Sequence, residues 1–457
     1  MAADRTRNRH PPYFRRRAQV DTSGALEKMI NWANVEEFGV QLQRYRKRAR
    51  LSQKILADLS TVSVRAVRNL ELGQVAAPRR ETVRLLADAL RLTTHERLSF
   101  ELAAGGEVDE ALFGTLSLPT DVLARPLVGR TRDLDALMRR LLNDQRRLMV
   151  LCGFAGVGKT HLAAAAARSV QAATATSVLW VRLQQDADRG PLQTAIADLL
   201  VGEGAGAGRL ARQIGDRATL LVLDGNDSGE VRRETVWTLI RECPHLTVLE
   251  TSRVPHDVSD HHRFLVTPLA ICRPGAPQAD AASAPALDFL LRRFADMRPT
   301  FQPDEGEVRK LAEVCGRLDG LPSALESAAF WATVISIDEL LTMARDEPEA
   351  VASHPATRTD PVAAAQRILG QQTPAAQDVA LRLAGWSEGW TIDQVVRQSR
   401  LPRAQAALAV QSLLHAGLIT ELQSKPGGPV RFTLLHLVRV ALHARFPHVP
   451  QLTLAAG

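Results

Sequence analysis

The chain has 457 residues, 45% of them hydrophobic and 23% charged, enough for roughly three domains of ordinary size; aromatic residues are only 4%, so the cores must rest on Leu, Val and Ala. No apolar run approaches the roughly 20 residues that a membrane helix needs, the basic start MAADRTRNRHPPYFRRR lacks the apolar segment of a secretory signal, and Cys152, Cys243, Cys272 and Cys315 stand singly, without zinc or disulfide spacing. Membrane, secreted and zinc-finger classes are thereby excluded and a cytoplasmic protein is expected; the net charge of +7, concentrated in the first fifty residues, points to a phosphate backbone as partner.

Residues 1–36 read as a basic, disordered tail, in which Met29 offers an alternative start. Residues 37–103 hold five amphipathic segments, FGVQLQRYRKRA, SQKILADLS, SVRAVRNLE, RRETVRLLADALRL and THERLSFELAA, with apolar residues at three- and four-residue intervals. Ser52 and Ser63 are placed to N-cap the second and third helices, and Ala57 is small where they must cross. Val67 and Leu70 should face the core, leaving Val64, Arg65, Arg68 and Asn69 on the side where a helix-turn-helix presents its second helix to the major groove. Arg pairs bidentately with guanine and Asn with adenine, so Arg65 and Asn69 are candidates for base readout. Gln53, Ser63, Arg68, Arg44 and Arg46 are candidates for the phosphates.

Residues 104–125 read as a linker. From residue 126 the pattern alternates helix and strand, and LMVLC, SVLWVRL, TLLVLD and LTVLETS are the continuous apolar runs of a buried parallel sheet. Between the first strand and a helix stands GFAGVGKT, Gly153 to Thr160, which satisfies GxxxxGK[ST]. Gly153, Gly156 and Gly158 let backbone N–H groups, with Val157 and His161 beside them, converge on phosphates; Lys159 reaches the outer ones and Thr160 ligates Mg²⁺. TLLVLDGND ends in Asp224, the expected second Mg²⁺ partner, and LTVLETSR ends in Arg253, placed to meet a γ-phosphate. The P-loop domain should span 126–275. RPGAPQADAASAP then marks a boundary, helices occupy 286–352, and three helices followed by a hairpin over 361–447 read as a winged helix. The expected fold class is multidomain: an all-α helix-turn-helix, a P-loop α/β parallel sheet, a helical domain and a winged helix.

Residues 37–103, including the ELG ending at Gly73, resemble the Cro/repressor-like, or XRE-type, helix-turn-helix, although Thr61 stands where that family usually has Gly in the turn. The order LVGRTRDLDAL, GFAGVGKT, LLVLDGND, VLETSR and CGRLDGLPSALESAA resembles the NB-ARC class of STAND NTPases over residues 126 to about 445. This resemblance implies ATP or ADP with Mg²⁺ as cofactors, Val128 and Arg130 in the loop that packs on adenine, and Pro322 against the base. Two departures stand out. Gly225 occupies the place of a second acidic residue that positions the attacking water, with Asp227 as its candidate substitute. Leu434, Leu435 and His436 occupy the place of the Met-His-Asp motif, with His436 as a candidate phosphate contact.

Together these features predict a DNA-binding transcription regulator whose oligomeric state or DNA affinity is gated by ATP and ADP, and which is at most a slow ATPase. Its partners would be double-stranded DNA in the nucleoid, copies of itself, and a signal carried by a protein, a small ligand or the nucleotide ratio, since the chain ends at Gly457 without a repeat array. Two alternatives accompany it. One is an ATPase stimulated by DNA or a partner, as in segregation or defence; the other is a scaffold that holds ADP permanently.

Overall fold

The computed structural model describes residues 38–75, 78–104, 118–144, 146–174, 176–183, 191–201, 206–227, 229–253, 262–272, 284–357, 359–386, 389–422 and 428–445. The basic tail, most of the expected linker and the Pro/Ala-rich boundary at 273–283 lie outside them. The chain divides into two compact units, residues 1–106 and 107–457. Among the described residues no helix is long and apolar enough to cross a membrane.

Among the described residues the first unit holds five helices: α1 (38–48), α2 (Gln53–Ser60), α3 (Val64–Glu71), α4 (Arg80–Ala89) and α5 (Thr94–Ala103). Leu42, Leu56, Val67, Leu70, Leu86 and Phe100 form its core, with the Phe38 and Phe100 rings 4.7 Å apart. Ser52 Oγ accepts from Ile55 N (3.1 Å) and Ser63 Oγ from Ala66 N (3.2 Å), so both expected caps are made. They satisfy N–H groups that a helix start otherwise leaves without partners. The chain reverses between α2 and α3 at Thr61, whose φ of 54° is left-handed, and Val62 N closes the turn on Ala57 O. The departure from Gly at this position thus leaves the turn intact but forces a β-branched residue into a backbone region that disfavours it.

In the second unit, helix α6 (Thr131–Met138) runs into a π-helical turn at Arg139–Asn143 and leads to β1 (Leu148–Cys152). There follow α7 (Lys159–Ala173), β2 (Ser177–Arg182), α8 (Pro191–Val201), α9 (Gly206–Ile214), β3 (Thr219–Asp224), α10 (Arg233–Glu242), β4 (Leu246–Ser252) and β5 (Arg263–Leu265). The five strands form one parallel sheet in the order β2-β3-β4-β1-β5. Helices cover both faces, which is why the strands are near-continuous apolar runs. Along α7 the buried Ala163, Ala164, Ala166 and Ala167 let the helix lie close on the sheet. The order places β4 between β1 and β3, so three strand ends converge beside the start of α7.

Helices α11 (Pro285–Met297), α12 (Glu305–Arg317), α13 (Pro322–Trp331), α14 (Ile337–Asp346) and α15 (Pro348–Ala352) make the helical segment. After it come α16 (Pro361–Gly370), α17 (Pro374–Leu383), α18 (Ile392–Ser399), α19 (Arg403–His415), an antiparallel hairpin of β6 (Ile419–Leu422) and β7 (Arg431–Leu434), and α20 (His436–Arg445). The three helices and hairpin read from the sequence are therefore α17–α19 with β6 and β7, while the Pro-Gly turn between the strands lies in the undescribed residues 423–427. Trp390 adds a bridge to this hairpin, exchanging N–H···O bonds with Phe432 at 2.8 Å each. Two elements were not anticipated, α16 and α20, which pack against each other. Cys152, Cys243 and Cys315 are buried free thiols and Cys272 is half-buried.

Replacing Thr61 by Gly removes the left-handed strain and is expected to stabilise the first unit by about 1 kcal/mol. Hydrogen exchange of the α2 and α3 amides in the full chain measures this; unchanged or faster exchange in Thr61→Gly would show that the turn is unstrained.

Candidate nucleotide and DNA sites

The chain leaves β1 at Cys152 and turns through Gly153 to Gly158 into α7, whose first residue is Lys159. A Cβ at Gly156, where φ is +74°, would lie 1.8 Å from Ser323 Oγ, so only glycine lets the loop and α13 approach this closely. Ser323 N donates to Gly156 O (3.1 Å) and seats the start of α13 on the loop. Lys159 Nζ donates to the carbonyls of Gly153 (2.9 Å) and Phe154 (3.0 Å), and burial pushes its pKa down to about 8. Arg130, 4% exposed, donates to Val157 O (2.8 Å) and pairs with Asp133 (2.9 Å). It therefore buttresses the loop from below.

Asp224, at the end of β3, is buried and forms no ion pair among the described residues; its Oδ1 accepts from both Thr160 Oγ1 and Thr251 Oγ1, each at 2.8 Å. Burial raises its pKa and the two hydroxyls only partly offset that. A carboxylate held this way, with its second oxygen free of hydrogen bonds from the described residues, has the chemistry of a hard-cation ligand. Among the described residues no cluster of three or more His, Cys, Asp or Glu side chains would hold a metal alone. The donors fit a Mg²⁺ ion carried chiefly by Thr160, Asp224 and phosphate oxygens, as such ions are held in phosphate sites.

The loop after β3 explains the first departure. Gly225, with φ +87°, donates its N–H to Thr251 Oγ1 (2.8 Å), a left-handed conformation that an acidic residue there would strain. Asn226 then pins the loop, bonding Val231 and the buried Glu250, and Glu250 pairs with Arg233 at 2.9 Å. Asp227 accepts from Arg253 N (2.7 Å) and Nε (2.5 Å). The candidate water-positioning carboxylate is thus engaged with the candidate γ-phosphate arginine.

These groups surround one cavity of about 640 Å³. Val128, Arg130, Gly156, Val157, Gly158, Lys159, Thr160, His161, Asp224, Asp227, Arg253 and Pro322 all line it. Gly153 and His436 do not. Gly153 packs on β5, where a Cβ would meet Val266 O at 2.3 Å. His436 is the first residue of α20; burial pushes its pKa down to about 4 and its ring faces no part of the cavity. What its position does show is a cap. Asp319, from the turn before α13, accepts from His436 N (2.7 Å) and Leu437 N (2.9 Å), and burial raises its carboxyl to about 7. Sequence reasoning missed other cavity residues: Thr251, Phe289, Arg293, Ser323, Glu326 and Arg367. Thr251, in TSR after an apolar strand, and Ser323, next to Pro322, left a readable signal.

In the first unit, Ser63, Val64, Arg65 and Arg68 are exposed at the start and outer side of α3, Asn69 is half-buried, and Arg44 is exposed on α1. Arg46 and Gln53 correct the sequence reading. Both are turned onto Glu71, whose carboxylate accepts from Arg46 Nε (2.5 Å) and Nη2 (2.9 Å) and from Gln53 Nε2 (2.7 Å). Burial pushes the Glu71 pKa up, but these donors outweigh it and the net shift is downward. The two side chains join α1, α2 and α3 instead of standing out toward phosphates.

Comparison with known proteins agrees with this division. A helix-turn-helix domain family matches residues 37–100 and the NB-ARC domain family matches residues 130–261. The "Putative HTH-type transcriptional regulator" of Mycobacterium tuberculosis is 33% identical over 202 residues, 42% of this chain and 21% of that protein. An uncharacterized protein of the same organism is 30% identical over 234 residues, 49% of this chain and 55% of its own length. The chain thus spans between a fifth and about half of the length of these curated relatives. Among solved structures, a Walker-type ATPase of Pyrococcus abyssi superposes with a TM-score of 0.42 at 14% identity, over 69% of this chain and 96% of that one. The two family matches fall one in each unit, the helix-turn-helix model on the five-helix unit and the NB-ARC model on the sheet-bearing part of the second.

Phosphate binding at this cradle requires the Lys159 ammonium, and binding raises its pKa. Nucleotide affinity should therefore be level below pH 8 and fall roughly tenfold per unit above it. Calorimetric titration across that range tests this, and an affinity indifferent to pH would remove Lys159 as the charge. Gly156→Ala should abolish binding, because loop and α13 would have to separate; nucleotide-induced shifts in melting temperature report it.

Proposed function

We propose that the protein is a transcription regulator whose DNA affinity or self-association is gated by ATP and ADP at the P-loop. The observation that carries this reading is the composition of the cavity wall. It is drawn from the P-loop domain (Lys159, Asp224, Arg253), the helical segment (Pro322, Glu326) and α16 of the C-terminal region (Pro361, Arg367). A nucleotide inserted there touches parts of the chain more than two hundred residues apart in sequence, and one phosphate more or less changes which of them it holds. A ligand shifts a conformational equilibrium only by such differential contacts. Helix-turn-helix units gain specificity when two engage paired half-sites, so assembly linked to the nucleotide would turn weak DNA contact into selective binding.

Gly225 and the Asp227–Arg253 pair favour slow turnover. The first withholds a carboxylate, and Asp227, the candidate substitute, is bonded to Arg253 in this arrangement instead of being poised as a general base for water. The α17–α19 and β6–β7 region fits a winged helix that serves closure over the nucleotide.

The deciding experiment is anisotropy of labelled DNA from the gene's upstream region, titrated with protein loaded with ADP or with a non-hydrolysable ATP analogue. A difference of about tenfold or more between the two is expected, corresponding to about 1.4 kcal/mol of coupling. Lys159→Ala should erase that difference, and Arg65→Ala should relax base preference at one position of the site. Equal binding in both nucleotide states would instead favour the scaffold that holds ADP.

A further inference from the structure

Arg253 stands one residue beyond β4 and Asp227 three beyond β3, on neighbouring parallel strands. Asp227 grips the arginine at two points, its backbone N–H and its Nε. The terminal nitrogens, Nη1 and Nη2, make no hydrogen bond among the described residues, and Arg253 lines the same cavity as Lys159 and Thr160. A guanidinium is a rigid planar fork. Held along its Nε edge, it presents the opposite end, two parallel donors, to an oxyanion. Asp227 meanwhile has both carboxylate oxygens directed at the arginine.

We propose that Asp227 is a positioning residue that fixes Arg253 for the terminal phosphate, so that discrimination between ATP and ADP depends on Asp227 without its acting as a base. The inference rests on nucleotide binding at the P-loop and adds to it a residue that sets which nucleotide is favoured. The geometry is informative because an arginine that ends a strand has many rotamers. Left unrestrained, it would lose side-chain entropy on meeting a phosphate; gripped by Asp227, it has already lost it. The carboxylate also offsets the repulsion between Arg253 and Lys159, which face each other across the same cavity.

The test is calorimetric titration of the full chain with ADP and with a non-hydrolysable ATP analogue, in wild type, Asp227→Ala, Arg253→Ala and the double variant. Asp227→Ala should weaken the ATP analogue about tenfold or more, as expected for loss of a charge-assisted contact, while ADP stays within about twofold. Arg253→Ala should give a similar loss, and the double variant should be no worse than Arg253→Ala alone, because one contact has been removed twice. Asp227→Asn keeps the side-chain shape and one acceptor, so its loss should be smaller. Losses that multiply in the double variant overturn the proposal, as does equal weakening of both nucleotides. Tighter binding of the ATP analogue in Asp227→Ala would mean that the carboxylate competes with the phosphate, and unchanged affinity for it would mean that Asp227 does not position Arg253; either outcome overturns it too. Wild-type protein that binds neither nucleotide would bring down the nucleotide reading itself, an outcome distinct from all of these.

Discussion

One carboxylate oxygen organises the second unit. Asp224 Oδ1 takes hydrogen bonds from Thr160, at the start of α7, and from Thr251, near the end of β4. It thereby fixes the relative height of β3, β4 and the P-loop helix. Parallel strands have no hairpins to set their register, and apolar strands slide against one another with little directional penalty; a buried polar bond is directional and costly to leave unmade. The strand order makes this possible by placing β4 between the P-loop strand and β3, so that Thr251 lies within reach of Asp224. Everything that lines the cavity on this side, including the Gly225 turn and the Asp227–Arg253 pair, is hung from that node.

The contrast with Glu71 shows what such a carboxylate is for. Both are buried acids that tie three elements together. Glu71 is paired with Arg46 and ends below the usual carboxylate range, the mark of a finished structural interaction. Asp224 is bonded by hydroxyls, with the charges of Arg182 and Lys159 acting on it only from beyond ion-pair distance, and ends above it. A charge buried without a directly paired counter-charge is unfavourable unless something else supplies one, and here the P-loop side of the cavity is the place from which a divalent ion would arrive. The same physical test separates a joint of the scaffold from a ligand of the site.

Much of this was legible in the sequence where the determinant is local. GFAGVGKT fixes a backbone shape within eight residues, and apolar strands ending in Asp224 and Arg253 place those side chains at one edge of a sheet. The helix caps at Ser52 and Ser63 are equally local. What escaped depends on contacts across long separations. Arg46 and Gln53 look like surface residues until Glu71, 25 and 18 positions away, is seen to hold them. Ser323 and Arg367 reach the cavity only because α13 and α16 fold over it; Ser323 at least adjoins Pro322, whereas nothing in the neighbourhood of Arg367 announces it. His436 was placed by alignment to a motif, whereas its position is decided by the start of α20, and β5, with three residues, is too short to carry a periodic signal.

Asp319 carries a consequence for how the molecule comes together. Helix α20 follows Leu435, a residue with no side-chain acceptor, so its first N–H groups are satisfied from the turn before α13, 117 residues upstream. That turn is itself unusual, with Asp319 and Gly320 both left-handed at φ 55° and 62°. Helix α20 therefore gains the cap for its first N–H groups only when the α12–α13 turn has formed, and opening of that turn leaves them without it. Although α20 adjoins the β6–β7 hairpin in sequence, its first turn is tied to the helical segment, so two stretches far apart in the chain share one joint.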